Sequence, residues 1–216
     1  DLRVDDHAAL HHALTAARRV WCAFVFDRTI LDPLPRTDRR VEFIRDSLVD
    51  VDAQLHMLGQ RAGVAGVHLI VRHGQAVAQI AGLARQLGVQ AVYASHDDDP
   101  YALARDARAR GALADAGIAL HTGKDHVVYE RAEVMTATKT AYSVFTPYKS
   151  AWLKRADHAA LAAWPIKPLA SALAPLPAGM TPGVPALHDI GFEPTNLHEL
   201  KLPLGASGAL ALWADF

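Results

Sequence analysis

The sequence predicts an α/β fold: a doubly wound parallel sheet with helices on both faces, followed by an extended linker. Three observations carry that reading. Short β-rich runs alternate with helical stretches through the first three-quarters of the chain. The first of those runs is continuously apolar, the pattern of a parallel strand buried on both faces. Beyond residue 156 the periodicity fades, and eight prolines fall between Pro165 and Pro203.

Taken in order, Asp5 and Asp6 are positioned to cap a helix with Leu10, Ala13, Leu14 and Ala17 on one side. "VWCAFVF", Val20 to Phe26, reads as a strand. "DPLPRTD" is a turn, after which Thr37 or Asp38 caps a long helix. That helix carries Val41, Ile44, Leu48, Val51, Leu55 and Leu58 as a stripe, and Gly59, Gly63 and Gly66 are expected to break it. "VHLIVR" from Val67 is a second strand, and the helix after it stops at Gly88. "QAVYAS" is a third strand, with a helix ending at Gly117, and "IALHT" a fourth. Such βαβ units wind into a Rossmann-like parallel sheet. The first helix has no strand ahead of it, so a leading strand is expected and missing. Residues 1–155 are read as the α/β domain, 156–205 as a Pro-rich interdomain linker, and 206–216 as the opening of a helix cut short.

The 216 residues are 51% hydrophobic, enough for a sizeable core, and the net charge is −1. No global basic field advertises nucleic-acid binding. The single cysteine, Cys22, can form no internal disulfide, and neither a signal peptide nor a long uncharged apolar stretch is evident. A cytoplasmic location without a membrane partner is the expectation.

Ligands of doubly wound sheets bind at the carboxyl ends of strands, so the loops after strands are the places to search. Neither GxGxxG nor GxxxxGK[ST] is present. "RHGQ" at 72–75 reads as a turn into a helix. In "SHDDDPY", 95–101, Asp99 is the natural cap for a helix starting at Pro100, while Asp97 and Asp98 are less easily explained. His96 could ligate a metal but has no second cluster beside it, and no metal site is expected. His11 and His12 are expected to be solvated. In "YSVFTPYKSAWLKR", 142–155, the aromatics Tyr142, Phe145, Tyr148 and Trp152 share one helical face. A helix starting near Thr146 with Pro147 in its first turn is expected, packing on one side and basic on the other.

"YSVFTPYKSAWLKR" resembles the segment that closes the α/β domain of DNA photolyases and cryptochromes. "DLRVDDHAAL", "FVFDRTILDPLPRTDRRVEFIRDSL", "LIVRHGQ" and "DDDPYALARDARARGALADAGIALHTGKDHVVYE" resemble that family's segments in order, over roughly residues 1–155. The nearest likeness is to bacterial class I cyclobutane-dimer photolyases. The resemblance implies an N-terminal α/β domain, often with an antenna pigment, ahead of a helical domain that binds FAD. Reduced flavin excited by blue light donates an electron to a flipped-out pyrimidine dimer, the ring splits, and the electron returns. The implied partners are UV-damaged DNA and the chain's own FAD-binding helical domain. Deoxyribodipyrimidine photo-lyase activity is implied for the parent protein, and inactivity for these residues alone.

No catalytic residue carries over. The resemblance implies antenna contacts at Phe24, Val25, Phe26, Arg36, Arg40 and Asp97. Folate-antenna relatives have Asn-Glu where this sequence has Tyr101-Ala102, so a deazaflavin- or flavin-type antenna is favoured over folate. A cryptochrome-type photoreceptor and a stand-alone nucleotide-binding module are the alternatives. The aromatic face at 142–152 is expected to pack the α/β domain and to help dock the helical one.

Overall fold

The computed structural model describes residues 2–216. Four parallel strands, β1 (Ala23–Asp27), β2 (Ile70–Gly74), β3 (Ala91–Ser95) and β4 (Ala119–Gly123), form the middle layer. They fall into two separate ribbons, β1–β2 and β3–β4. Ala23 lies opposite Ile70 in the first, and Ala91 opposite Ala119 in the second. The expected alternation of strand and helix is observed. Helices α1 (Ala8–Ala16), α2 (Arg28–Leu31) and α3 (Arg39–Arg61) come first. Next are α4 (Ala76–Leu87), α5 (Pro100–Ala114), α6 (Phe145–Arg155) and α7 (Gly205–Asp215).

Capping decides several boundaries. Asp38 caps α3, its carboxylate accepting from Arg40 N, and Asp99 caps α5 by accepting from Tyr101 N and Ala102 N. Gly88 ends α4 in a left-handed conformation, φ 63°, that costs a side-chain-bearing residue more. Two expectations need correction. Helix α1 is capped by His7, whose Nδ1 accepts from Leu10 N, not by Asp5 or Asp6. Gly59 does not break α3 but lies inside it, where Val67 approaches: a Cβ there would meet Val67 Cγ2 at 2.5 Å. The helix stops after Arg61, and Gly63 takes a positive φ of 79°.

The main core joins α1, β1 and α3 through Leu14, Phe26, Leu48 and Leu55. Residues 156–205 complete it. Ile166, Ala170, Leu173, Ile190 and Phe192 are buried in that same cluster, so the Pro-rich segment is packed along the domain rather than free of it. Val20 exchanges backbone bonds with Ala172 O and Ala174 N, which fastens the segment to the lead-in of β1. His11 and His12 are not simply solvated. Their rings lie 5.3 and 4.8 Å from Trp164, and His11 Nδ1 is 2.8 Å from Pro165 O. A smaller cluster, Ala81, Ala84, Leu113 and Ile118, holds α4, α5 and the second ribbon together.

Helix α6 begins at Phe145, with Pro147 in its first turn. Trp152 packs edge-on against Tyr129 at 5.7 Å, and Arg155 covers the same ring. Phe145 is 72% exposed, and no residue of α6 is buried. No described helix is long and apolar enough to cross a membrane.

Candidate functional site

The carboxyl ends of β1 and β3 define the rim where a doubly wound fold collects ligands. Its best-organised group is Asp27, the last residue of β1, only 7% exposed. Asp27 Oδ1 accepts from Thr29 N at 3.1 Å and from Ala76 N at 3.3 Å, capping α2 and meeting the start of α4. Tyr101 donates its hydroxyl to Oδ2 at 3.2 Å from the first turn of α5. One carboxylate thus ties three helix N-termini to one strand end, where backbone N–H groups favour negative charge. Tyr101 and Ala102 also acquire structural roles: the first holds Asp27, and the second is buried.

Across the rim, the loop after β3 is fixed residue by residue. His96 Nδ1 lies 2.9 Å from the Glu130 carboxylate, and its Nε2 lies 3.1 Å from the Thr122 hydroxyl. Asp97 accepts from Asp99 N at 3.0 Å, and Asp98 pairs with Arg131 at 2.9 Å. Lys124 bonds Glu133 at 2.7 Å and holds that carboxyl below the usual range. His96 is therefore a link between strand end and loop. The described residues contain no cluster of three or more metal-ligating side chains. Ser95 Oγ, at the end of β3, is buried without a hydrogen-bond partner.

The six residues singled out from the sequence occupy different settings. Phe24 and Phe26 stack edge-on at 5.1 Å and face the main core, where Phe26 is fully enclosed. Val25 points to the opposite face, as the two-residue period of a strand requires. Arg36 donates to Gly191 O at 2.9 Å, and its own carbonyl accepts from Glu193 N. Arg40 pairs with Asp38 at 2.5 Å, and its hydrogen bond with the guanidinium holds the Asp38 carboxyl down at about 2. Arg40 is otherwise 73% exposed, and Asp97 is also exposed. Phe24 and Val25 thus lie within β1, Arg36 in the loop ahead of α3, Arg40 in the first turn of α3 and Asp97 in the loop after β3, while packing takes Phe26 out of solvent.

Two cavities open elsewhere. One of about 320 Å³ lies among Glu42, Arg45, Asp46, Leu187 and His188. Another of about 360 Å³ lies between β2 and the 176–183 segment. Cys22 has no reactive setting; burial pushes its thiol up to about 12.

Sequence reasoning missed Asp27, although a carboxylate closing an apolar strand was visible in "FVFD". Asp125, which holds Ala8 N and Arg3, and Glu130, which holds His96, carried no local signal, because their partners are distant in sequence.

A family model described as DNA photolyase matches residues 1–169. The chain belongs to the DNA photolyase family. Cryptochrome DASH of Natronomonas pharaonis is 32% identical over 199 residues, covering 89% of this chain and 39% of the relative. A deoxyribodipyrimidine photo-lyase of Streptomyces griseus is 35% identical over 155 residues, covering 70% of this chain and 32% of the relative. A class III photolyase structure from Agrobacterium tumefaciens superposes with a TM-score of 0.74 at 24% identity. That superposition covers 98% of this chain and 41% of the other, and it establishes the shared α/β fold. This photolyase-family chain therefore spans about two-fifths or less of the length of those relatives.

Proposed function

We propose that residues 1–216 form the antenna-side α/β portion of a deoxyribodipyrimidine photo-lyase, which repairs cyclobutane pyrimidine dimers in UV-damaged DNA. The observation that carries this reading is the family match across residues 1–169, together with a strand-end rim organised around a buried carboxylate. When bound by the whole protein, reduced FAD supplies the photoexcited electron that opens the dimer. These residues would instead hold a light-harvesting pigment at the carboxyl ends of β1 and β3.

A flat pigment with an anionic tail suits this rim. Arg36 and Arg40 offer exposed guanidinium groups for the tail. Asp97 would accept from a polar edge of the ring system, and Val25 would give an apolar contact. Phe24 and Phe26 would back the wall from the core side, since Phe26 is enclosed. A deazaflavin- or flavin-type antenna is favoured over folate, because Tyr101 is occupied with Asp27 and Ala102 is buried. The proposed location is cytoplasmic, and the aromatic and basic face of α6 is the proposed contact for an FAD-binding helical domain.

The test is the absorption spectrum of the intact protein, followed by a dimer-repair assay under blue light. Flavin bands, a second near-ultraviolet or blue band, and light-dependent repair are expected. Residues 1–216 with added FAD should not repair. A cryptochrome-type photoreceptor is the second reading, favoured by the similarity to Cryptochrome DASH. Flavin bands without repair of duplex DNA would select it. Tight nucleotide binding with no visible-region pigment would instead select a nucleotide-binding module.

A further inference from the structure

The cavity of about 320 Å³ between α3 and residues 186–194 contains an unbalanced charge. Glu42, in the first turn of α3, lines it and is only 8% exposed. Its Oε2 accepts from Thr195 N at 2.9 Å and also from the Thr195 hydroxyl. Both donors are neutral, and both fall on the same oxygen. Among the described residues Oε1 has no hydrogen-bond partner, and the carboxylate has no cationic one. Buried carboxylates are normally paired, so one without a counter-ion calls for an explanation.

The neighbouring guanidinium groups do not supply the missing charge. Residues three apart on a helix are neighbours, so Arg39 and Arg45 flank Glu42 along α3. Arg39 instead donates to Asn196 Oδ1 at 2.8 Å. Arg45 donates to Pro185 O at 3.0 Å and to Asp46 at 2.9 Å, so its charge is cancelled within the cavity wall. Arg36, in the loop ahead of α3, donates to Gly191 O. These bonds hold the 185–196 segment against α3 and commit three cations to partners other than Glu42. His188, another lining residue, lies 3.2 Å from Asp189. Ala186, Leu187 and Pro194 make the rest of the wall apolar. A metal ion does not suit the cavity, because Glu42, Asp46 and His188 do not gather about one point.

We propose that this cavity is a binding site for a small organic cation, a primary ammonium or amidinium group on a short apolar body, with Glu42 as its counter-ion. Its volume lies at the lower end of small-molecule sites, and an apolar wall with a few placed polar groups is their usual make-up. The cation would donate to Glu42 Oε1, with Asp46, one helical turn further along α3, as a second acceptor. The apolar body would lie against Leu187 and Pro194 and displace water from them. A neutral ligand would leave Glu42 unbalanced. An anion would meet two carboxylates and a guanidinium that Asp46 already holds. Both walls have firm support. Val41 and Leu48 anchor α3 in the main core, and Leu187 packs on that same core, in which Ile190 and Phe192 are buried. Occupancy would fasten the Pro-rich segment to α3. The inference rests on Glu42 and its cavity, and it stands whether or not the strand-end rim holds a pigment.

The probes are benzylamine and benzamidine, with benzyl alcohol and benzoate as neutral and anionic controls of similar size. Calorimetric titration of the intact protein should show saturable binding of at least one cation, with both controls about tenfold weaker or more, the scale of one charge-assisted hydrogen bond. Glu42→Gln keeps an acceptor for Thr195 and removes the charge. It should weaken the cation by about tenfold or more and leave benzyl alcohol unchanged. If that variant fails to fold, Ala186→Leu, which narrows the cavity without altering its charge, should weaken the cation to a similar degree. A crystal soaked in para-bromobenzylamine should place the bromine between α3 and residues 186–194, with the nitrogen in hydrogen-bond reach of Glu42. Failure of both cations to bind would overturn the assignment. So would equal affinity for cations and controls, undiminished binding by the folded variant, or bromine bound only elsewhere.

Discussion

The two ribbons are held by very different amounts of core. The first, β1–β2, belongs to a cluster of eighteen buried residues that includes α1, α3 and the 166–192 segment. The second, β3–β4, rests with α4 and α5 on a cluster of four, with Tyr93 of β3 reaching the edge of the first cluster. Burial of an apolar side chain is worth about 1.5–3 kcal/mol, so the imbalance makes the second ribbon the weaker half. The β3 and β4 loops are stitched together by polar contacts: His96 with Glu130, Asp98 with Arg131, and Lys124 with Glu133. An exposed ion pair such as Asp98–Arg131 adds little, roughly 0–1 kcal/mol. The lesson is that the chain's stability is concentrated around β1 and the packed Pro-rich segment, while its strand-end rim spans a strong half and a weak half.

The largest effect should come from the strong half. Phe192 is buried at 2% exposure in the main core, and Phe192→Ala should cost about 3–5 kcal/mol. Denaturant unfolding should show the loss, and proteolysis should begin within residues 156–205. If the segment were a free linker, neither measurement would change. Leu113 is fully enclosed in the small cluster, and Leu113→Ala should cost about 2–5 kcal/mol. Hydrogen exchange should then open β3, β4 and α5 while β1 and β2 keep their protection. Uniform loss across both ribbons would show that the halves unfold together.

Asp27 spans the comparison, because its bonds reach α4 and α5 from β1. Asp27→Ala leaves the buried Ala76 N–H unmatched and removes the partners of Thr29 N and the Tyr101 hydroxyl, and should cost about 1–3 kcal/mol. The change should also alter exchange at Ala76 and the exposure of Tyr101, measured by its fluorescence or NMR shift. An effect confined to β1 would remove Asp27 as the link between the halves.

The order of strands and helices was legible because it rests on local pattern. Asp38 and Asp99 could be read as caps because a capping carboxylate sits within three residues of the amides it serves. The same logic failed at α1, where His7 stands closer to the helix and Asp125 reaches Ala8 from 117 residues away. Gly59 was misread because a glycine that admits Val67 looks the same in sequence as one that ends a helix. The packing of Ile166, Leu173 and Phe192 has no periodicity to announce it, since 3-10 turns and prolines set their directions. At the candidate site, the separation of Phe24 and Phe26 from Val25 follows from strand alternation, whereas Asp27's partners follow only from the fold.

The smallest effect concerns the chain's attachment to the weak half, through Asp125 and α1. Burial acts to raise the Asp125 carboxyl, but its bond to Ala8 N and the charge of Arg3 outweigh this and hold it below the ordinary value. A depressed carboxyl stabilises the fold above the usual aspartate range, near 3.9, and that contribution is lost as pH falls through the lower folded value. His7 works in the same direction at higher pH. Burial lowers it, with Arg3 adding to that and Asp125 opposing, so the folded state favours the neutral ring that caps Leu10 N. As pH drops below about 6.5 the unfolded chain takes up the proton first, and stability declines. The expected profile is therefore a first loss of α1 protection starting near pH 6.5 and a second below about pH 4. His7→Asn, which keeps a capping acceptor without titrating, should remove the first limb and leave the second. Asp125→Asn should cost about 1 kcal/mol at neutral pH, the scale of a lost cap, and flatten the second limb. A His7→Asn protein that keeps the loss near pH 6 would place the sensor elsewhere and break the link between this cap and the β4 rim.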